Sequence, residues 1–210
     1  MTSSNVEVLI PKVVKVVNGK KFYAEPLTFT EISAHESKLI KRTPSVYVGT
    51  YGKYTGGSIN GMWVDISTFY DEEDFLEFCR RLHADEYDPE FMYQDYECFP
   101  EVFYSESFLP IDAIIEWFNL DDDEQEIVAE YFDEVSSWKN EGKPDNFDYI
   151  IDKCIYHGDD KNEFYDQMAY DMYPDFFKDG APGEYYFNFE KWERDCRMEY
   201  SETENCIFYL

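Results

Sequence analysis

The chain has 210 residues, with 46 Asp and Glu against 18 Lys and Arg, so its net charge is −28 with the three His neutral. Proteins that bind DNA, RNA or anionic membrane surfaces directly do so through clustered Lys and Arg, and this excess of acid argues against all three. Phe, Tyr and Trp make up 20% of the residues, which predicts a packed core rather than a disordered acidic chain.

The charge is divided unevenly along the chain. Residues 1–44 hold seven Lys and Arg against four Asp and Glu, net +3, whereas residues 45–210 hold 11 against 42, net −31. This change predicts a boundary near Thr43-Pro44. Before it, VEVLIPKVVKVV and KKFYAEP flank Asn18-Gly19, and because Asn-Gly supplies the positive φ angles of a type I′ turn, the pattern predicts a small β-hairpin.

The segment after the boundary predicts a sheet and a helix. SVYVGTYGKY and SINGMWVDI alternate apolar and polar residues on either side of Gly56-Gly57, which indicates two antiparallel strands. In DEEDFLEFCRRLHA the apolar residues fall on one stripe and acids occupy the first turn, which predicts a helix. EVFYSES is then expected to return as a third strand.

The rest of the chain is predicted to be mainly helical. Pro110 opens the helix IDAIIEWFNL, and Asp121 and Glu124 have capping-box spacing at the start of DDDEQEIVAEYFDEVSSW. KNEGKPDN predicts a linker. The remaining predictions are two helices in FDYIIDKCIY and DKNEFYDQMAYDMY, a loop at KDGAPGE, a helix in NFEKWERDCRMEY and a closing strand CIFYL.

No cofactor or metal site is predicted. His35, His83 and His157 are isolated, and the nearest calcium-loop candidate, from Asp175, has Phe177 where a ligand oxygen is needed. The cysteines lie far apart beside apolar residues, which predicts free, buried thiols in a reducing compartment. They are Cys79, Cys98, Cys154, Cys196 and Cys206.

Enzyme activity is not predicted either. A glycosidase needs two carboxylates in an aromatic-lined cleft, but with 46 acids no spacing singles out a pair. Gly-rich phosphate loops, a GxSxG elbow and a Cys/His nucleophile pattern are all missing from the sequence. A sequence with no apolar run of about 18 residues and no export-signal pattern predicts a cytoplasmic protein.

The acidity itself indicates a function. A net charge of −31 equals that on about 53 Å of duplex DNA, whereas a globule of 166 residues is only about 40 Å across. On the predicted helices the acids face away from the apolar stripes, three or four residues apart, so they form rows of carboxylates on a rigid support. These rows resemble a phosphate backbone, and between Glu97 and Lys139 no basic residue interrupts them.

The residues also resemble a known family. YVGTYGKYTGGSINGMWVDI, HADEYDPEFMYQDYE, the helix after SFLPIDAIIEWF, and the stretch from YFNFEKWERDC to CIFYL are together similar to the ArdA antirestriction proteins, over residues 45–210. The resemblance implies a DNA mimic that occupies the groove of type I restriction-modification enzymes, blocking cleavage and often methylation, and that acts as a homodimer. Residues 1–44 are not covered.

The resemblance further implies an α+β fold built as an elongated chain of small domains. They are a probable β-hairpin extension at 1–44, an α+β mimic domain with an antiparallel sheet plus helix at 45–105, a helical middle domain at 106–147, and an α+β domain at 148–210 that dimerises.

The predicted partner-binding residues are the acids of the first two mimic domains. No catalytic or metal-binding residue is predicted, and the expected partner is the methyltransferase core of a type I enzyme. The residues are Asp71, Glu72, Glu73, Asp74, Glu77, Asp85, Glu86, Asp88, Glu90, Asp95, Glu97, Asp112, Glu116, Asp121, Asp122, Asp123, Glu124, Glu126, Glu130 and Asp133.

A second function would require the same acidic composition, because it also depends on attraction between acidic and basic surfaces. An acidic interaction module could bind another basic DNA-binding protein, such as a nucleoid protein or a repressor, through equally salt-sensitive contacts. Only an assay with the partner separates the two hypotheses.

Overall fold

The computed structural model describes residues 13–17, 20–23, 26–38, 42–138, 146–179 and 183–209. The chain is mixed α+β, as predicted, and divides into two compact units, 1–118 and 119–210. The predicted division into three mimic domains stays a prediction. No helix among the described residues is long and apolar enough to cross a membrane.

The N-terminal hairpin is confirmed. Strands β1 (Val13–Val17) and β2 (Lys20–Tyr23) pair antiparallel, with Val17 opposite Lys20. The turn at Asn18-Gly19 lies outside the described residues.

A short helix that was not predicted follows the hairpin. Helix α1 (Phe29–His35) begins with a capping box, in which the Thr28 hydroxyl accepts from the backbone N–H of Glu31 and the Glu31 carboxylate accepts from the backbone N–H of Thr28. Its last residue, His35, stacks on Phe69 at 4.4 Å between ring centroids. Residues before the predicted boundary therefore pack against the sheet-and-helix body of the first unit.

The first unit is built on a three-stranded antiparallel sheet in the order β4-β3-β5. Strand β3 is Ser45–Thr50 and strand β4 is Met62–Asp65, as the sequence predicted, with Val46 opposite Val64. The third strand was predicted wrongly. It is β5 (Phe91–Glu97), whereas Glu101–Phe103 forms a single 3-10 turn that follows Pro100 and buries Phe103.

The first predicted strand is also too long. It ends at Thr50, whose hydroxyl accepts a hydrogen bond from the backbone N–H of Lys53 and caps helix α2 (Tyr51–Thr55). A threonine in extended conformation just before a turn is a normal helix N-cap, so the local cap prevails over the alternating pattern.

Two predicted helices complete the first unit. Helix α3 (Glu72–Leu82) buries Phe75, Phe78 and Cys79. Helix α4 (Ile111–Asn119) begins directly after Pro110, whose carbonyl accepts from the backbone N–H of Ile114.

The second unit begins with the predicted acid-capped helix α5 (Asp122–Glu130). It continues as one π-helical turn, Tyr131–Val135, which buries Tyr131 and Phe132. The predicted linker at KNEGKPDN lies almost wholly outside the described residues.

A second antiparallel sheet, in the order β6-β8-β7, organises the C-terminal part. The helix predicted in FDYIIDKCIY ends at Lys153, and its last three residues belong to a strand instead, because they pair with the closing strand. The elements are α6 (Asp148–Lys153), β6 (Cys154–His157), α7 (Lys161–Met172), α8 (Pro174–Phe177), α9 (Gly183–Tyr186), α10 (Phe189–Cys196), β7 (Tyr200–Glu202) and β8 (Cys206–Tyr209).

The core of the second unit lies between this sheet and helices α7 and α10. Tyr165, Cys196 and Ile207 are buried together, and the Trp192 indole donates to the Tyr165 carbonyl at 2.8 Å. The loop predicted at KDGAPGE lies partly outside the described residues, and its Gly183 opens α9.

All five cysteines are free, as predicted, but not all are buried. Cys98 is exposed and Cys154 is half-buried. Cys98 lies in the tight turn after β5 with φ 63°, and this backbone geometry directs it to solvent although its neighbour Phe99 is buried.

Candidate acidic interaction surface

The start of α3 gathers four consecutive acids. Asp71 is the N-cap and accepts from the backbone N–H of Asp74 at 2.9 Å, while Asp74 Oδ2 accepts from the backbone N–H of Tyr70 at 3.3 Å. Glu73 and Asp74 are exposed, and Asp71 and Glu72 are half-buried. The partial positive charge at the N-terminus of the helix offsets part of their mutual repulsion.

A hydrogen bond between two helices extends this group. Asp112 Oδ1, in the first turn of α4, accepts from the backbone N–H of Glu72 at 2.7 Å across 40 residues of sequence. Glu116 follows one turn further along α4. The acids of α3 and those of α4, which the sequence presents as separate rows, therefore meet in one surface of the first unit.

The other end of α3 is electrically different. Arg80 pairs with Glu77 at 2.9 Å, and Arg81 pairs with Glu31 of α1 at 2.6 Å. The hydrogen bond from Arg81 and those from Thr28 lower the pKa of Glu31 to about 2. Glu77 thus has a basic partner on its own helix, whereas among the described residues no Lys or Arg pairs with the four acids that begin the helix.

The predicted contact residues Asp85 and Glu86 surround a lysine. Lys53 Nζ lies 2.9 Å from Asp85 Oδ1 and 3.5 Å from Glu86 Oε1, and the Thr50 hydroxyl donates to Glu86 at 2.6 Å. The hydrogen bond from Lys53 lowers the pKa of Asp85. Lys53 is 13% exposed at its side chain, so this pair contributes to the structure of the first unit.

The same group is the one metal-like cluster among the described residues. Ligand atoms of His83, Asp85 and Glu86 lie within 4.8 Å of one another. The Lys53 ammonium lies 2.9 Å from His83 Nδ1 and contacts both Asp85 and Glu86. Burial and the nearby Lys53 charge lower the pKa of His83, so its neutral ring accepts from the lysine. A lysine in this position supplies the positive charge that a metal ion would bring.

Strand β5 and the loop before it carry a further set of acids. Asp88 and Glu90 are exposed in the loop, and Asp95 and Glu97 are exposed at alternate positions of the strand. Tyr96 between them stacks on Tyr104 at 4.2 Å. The period of two along the strand therefore places these two carboxylates on one side of a rigid backbone.

The second unit has its own acidic row at the start of α5. Asp121 and Glu124 form the predicted capping box, with bonds of 2.9 and 3.1 Å to each other's backbone N–H. Asp122 and Asp123 are exposed on the first turn. The two box residues fix the helix start, and the two between them point to solvent.

Further along α5 the acids turn to internal partners. Glu130 accepts from the Thr203 hydroxyl, from the backbone N–H of Asn205 at 3.0 Å and from the Asn205 amide at 2.9 Å. Glu126 accepts from the same amide at 2.7 Å and lies 3.2 Å from His157. These two residues hold the β7–β8 turn against α5, whereas Asp133 beyond them is exposed.

Thirteen of the twenty predicted residues are exposed and the other seven are half-buried. Five of them bind side chains of other residues in their own unit, namely Glu77, Asp85, Glu86, Glu126 and Glu130. Glu77 pairs with Arg80 on its own helix, whereas the other four have partners on other elements, which no sequence signal revealed. Tyr70, an exposed aromatic directly before the N-cap of α3, was not among the predicted contact residues, although the sequence places it next to four acids.

Comparison with known proteins identifies one family. The model of a family described as antirestriction protein (ArdA) matches residues 46–209. No curated protein matches the chain. The matched range contains all twenty predicted contact residues and, apart from Ser45, both three-stranded sheets, and it leaves out the hairpin and α1.

Proposed function

Because the chain belongs to the ArdA family of antirestriction proteins, we propose that its acidic surface occupies the DNA-binding groove of a type I restriction-modification enzyme. The protein would take the place of duplex DNA there and block restriction, and it would block methylation where the same groove serves both reactions. The proposed place of action is the cytoplasm.

The observation that carries this proposal is the fixed acidic surface at the starts of α3 and α4. The hydrogen bond from the backbone N–H of Glu72 to Asp112 joins the starts of the two helices, and Glu73, Asp74 and Asp112 are exposed beside it. A groove that binds phosphates needs anionic oxygens at fixed spacing, and helices provide a spacing of about 5 to 6 Å between neighbouring side chains.

The mechanism is competition between two polyanions for one cationic groove. Lys and Arg of the groove release their bound anions when the carboxylates arrive, as they do when phosphates arrive. Long-range attraction steers the encounter, so association is fast at low salt and slows as salt screens the charges. The inhibitor is not consumed and acts stoichiometrically.

The test is a titration into the methyltransferase core of a type I enzyme bound to fluorescent duplex DNA, at two salt concentrations. We expect displacement near one inhibitor per groove, with weaker displacement at the higher salt. DNA that stays bound at large excess of the protein and low salt would overturn the proposal.

A pair of variants matched in charge makes the test specific. One variant neutralises three exposed acids among the predicted contact residues, one on α3 and two on α5, and is Glu73→Gln, Asp122→Asn and Asp123→Asn. The control neutralises three exposed acids elsewhere and is Asp159→Asn, Asp179→Asn and Glu190→Gln. If both variants lost displacement equally, only net charge would matter, and the proposal of a defined binding surface would be wrong.

We also propose that the protein acts as a homodimer formed through its second unit. Several large apolar side chains of this unit are exposed, among them Tyr185 at 85% and Tyr186 at 71%. A surface rich in exposed aromatics is typical of a protein interface. Light scattering after size exclusion should give a dimer for the wild type and a monomer for the double change Tyr185→Ser and Tyr186→Ser; a monomeric wild type would contradict the proposal.

The alternative of an acidic module for another basic protein makes a different prediction in the same assay. The methyltransferase core would keep its DNA, while a nucleoid protein or a repressor would release its own DNA on addition of the protein. Salt dependence does not separate the two, because both use the same charges.

A further inference from the structure

Tyr70 is the most exposed large apolar or aromatic side chain among the residues that the structure describes, at 88%. It lies directly before Asp71, the N-cap of α3. A ring of this size contributes nothing to the core in such a position, so the fold does not account for it.

The backbone that carries Tyr70 is held on both sides. Its neighbour Phe69 is 5% exposed and contacts the rings of His35, Phe75 and Phe78 at 4.4 to 5.3 Å between centroids. The backbone N–H of Tyr70 itself donates to Asp74 at 3.3 Å. Because this segment is already ordered, binding at Tyr70 loses little conformational entropy beyond that of the side chain.

The residues that follow Tyr70 in the chain are acidic. Asp71 precedes α3, and Glu73 and Asp74 lie in its first turn, with Asp112 joined to the same turn by its bond to Glu72. An arginine guanidinium can stack its plane on an aromatic face while its N–H groups donate to nearby carboxylates. A lysine ammonium has no such plane, so an aromatic beside carboxylates suits arginine better.

We propose that Tyr70 is an anchor residue of the acidic surface and stacks on an arginine side chain of the partner's DNA-binding groove. This inference rests on the proposed function. It gives the surface a contact that phosphate lacks, namely an aromatic face, and so makes binding depend on the identity of the basic residue as well as on its charge. Tyrosine and arginine are also the residues most enriched among those that dominate binding energy at interfaces.

The experiment is the same displacement titration with variants at this position. Tyr70→Ala should weaken displacement by about tenfold, and Tyr70→Phe, which keeps the ring, should stay close to the wild type. The slope of log affinity against log salt should be the same for all three, because no carboxylate is removed. Tyr54→Ala is the matched control, since Tyr54 is an exposed tyrosine of the same unit, at 52%, whose neighbours in the chain are Lys53 and Thr55.

A further variant guards against a loss of fold. Tyr70→Lys keeps a long side chain and places a positive charge against the partner's arginine, so it should weaken displacement more than Tyr70→Ala while thermal melting stays that of the wild type. If Tyr70→Ala and Tyr70→Lys both displace DNA as well as the wild type, the inference is wrong and the proposed function stands. If the wild type displaces no DNA, the proposed function fails and takes this inference with it.

Discussion

Glu130 is a predicted contact residue, and its hydrogen bonds to Thr203 and Asn205 also predict that it stabilises the second unit. Glu130→Ala removes the acceptor for the Thr203 hydroxyl, the backbone N–H of Asn205 and the Asn205 amide. Thr203 is 5% exposed, so its hydroxyl loses its charged acceptor in a place that water scarcely reaches.

The size of the effect follows from these contacts. Hydrogen bonds to a charged group contribute about 1.5 to 3 kcal/mol each. The amide of Asn205 keeps Glu126 as an acceptor, and the backbone N–H of Asn205 can reach water. We therefore expect Glu130→Ala to lower the free energy of unfolding by about 3 kcal/mol, and Glu130→Gln, which keeps one acceptor oxygen, by less.

The pH dependence has a definite sign. Burial raises the pKa of Glu130, but the hydrogen bonds from Thr203 and Asn205 outweigh burial and leave the pKa lowered. A group whose pKa is lowered by folding stabilises the fold above its unfolded pKa and loses that contribution as the pH falls through its folded pKa. The difference between wild type and Glu130→Gln should therefore be fully present near neutral pH and shrink in acid.

Urea unfolding followed by circular dichroism measures the free energy of unfolding of each variant, and the DNA-displacement titration measures its inhibition per folded molecule. Asp133→Ala is the control, because Asp133 is exposed in the next helical turn. We expect Glu130→Ala to unfold at lower urea yet displace DNA normally when folded, and Asp133→Ala to unfold like the wild type. An unchanged urea midpoint for Glu130→Ala would refute the reasoning from the hydrogen bonds.

Three further predictions concern other parts of the chain. Asp122→Asn and Asp123→Asn should each weaken DNA displacement by less than about fivefold, because surface ion pairs contribute about 0 to 1 kcal/mol. The double variant should weaken displacement more and make it less dependent on salt. A single change that abolished displacement in a folded protein would contradict this prediction. The ion pair of Glu31, whose pKa is about 2, should stabilise the fold above about pH 4.5 and lose this effect as the pH falls toward 2. Urea unfolding at several pH values should give a pH-dependent contribution of about 1 kcal/mol to the free energy of unfolding, and Glu31→Gln should abolish it. An equal pH dependence in that variant would count against the ion pair. Mass spectrometry after brief alkylation should find Cys98 modified first and Cys79 unmodified until urea unfolds the chain, because burial raises the pKa of the Cys79 thiol; early labelling of Cys79 would show that the core opens.

Elements with a complete local signal were predicted correctly. Helix α3 has its cap, its acidic first turn and its apolar stripe within twelve residues, and α5 has its capping box. The N-terminal hairpin was predicted from the Asn-Gly pair between two apolar segments. In each case the stabilising contacts lie within one or two helical turns or one strand pair, so the sequence window contains them.

Elements that depend on partners distant in the sequence were not predicted correctly. Strand β5 pairs with β3 across more than forty residues, and no local pattern distinguishes it from the aromatic segment that follows. Residues 154–156 were predicted to continue a helix, but they belong to strand β6 because β8, about fifty residues later, pairs with them. Helix α1 was missed because its seven residues bury no side chain fully, and it is held by contacts to α3 and β4.

The sequence by itself determined the family, the mixed α+β class and the acidic character of the surface, because these depend on composition, motifs and local periodicity. Tertiary structure decided which acids bind side chains of their own unit. Glu126 and Glu130 cannot be told from Asp122 and Asp123 in the sequence, since all four are acids of one helix. Their roles differ because a turn more than seventy residues away supplies hydrogen-bond donors to the first two alone.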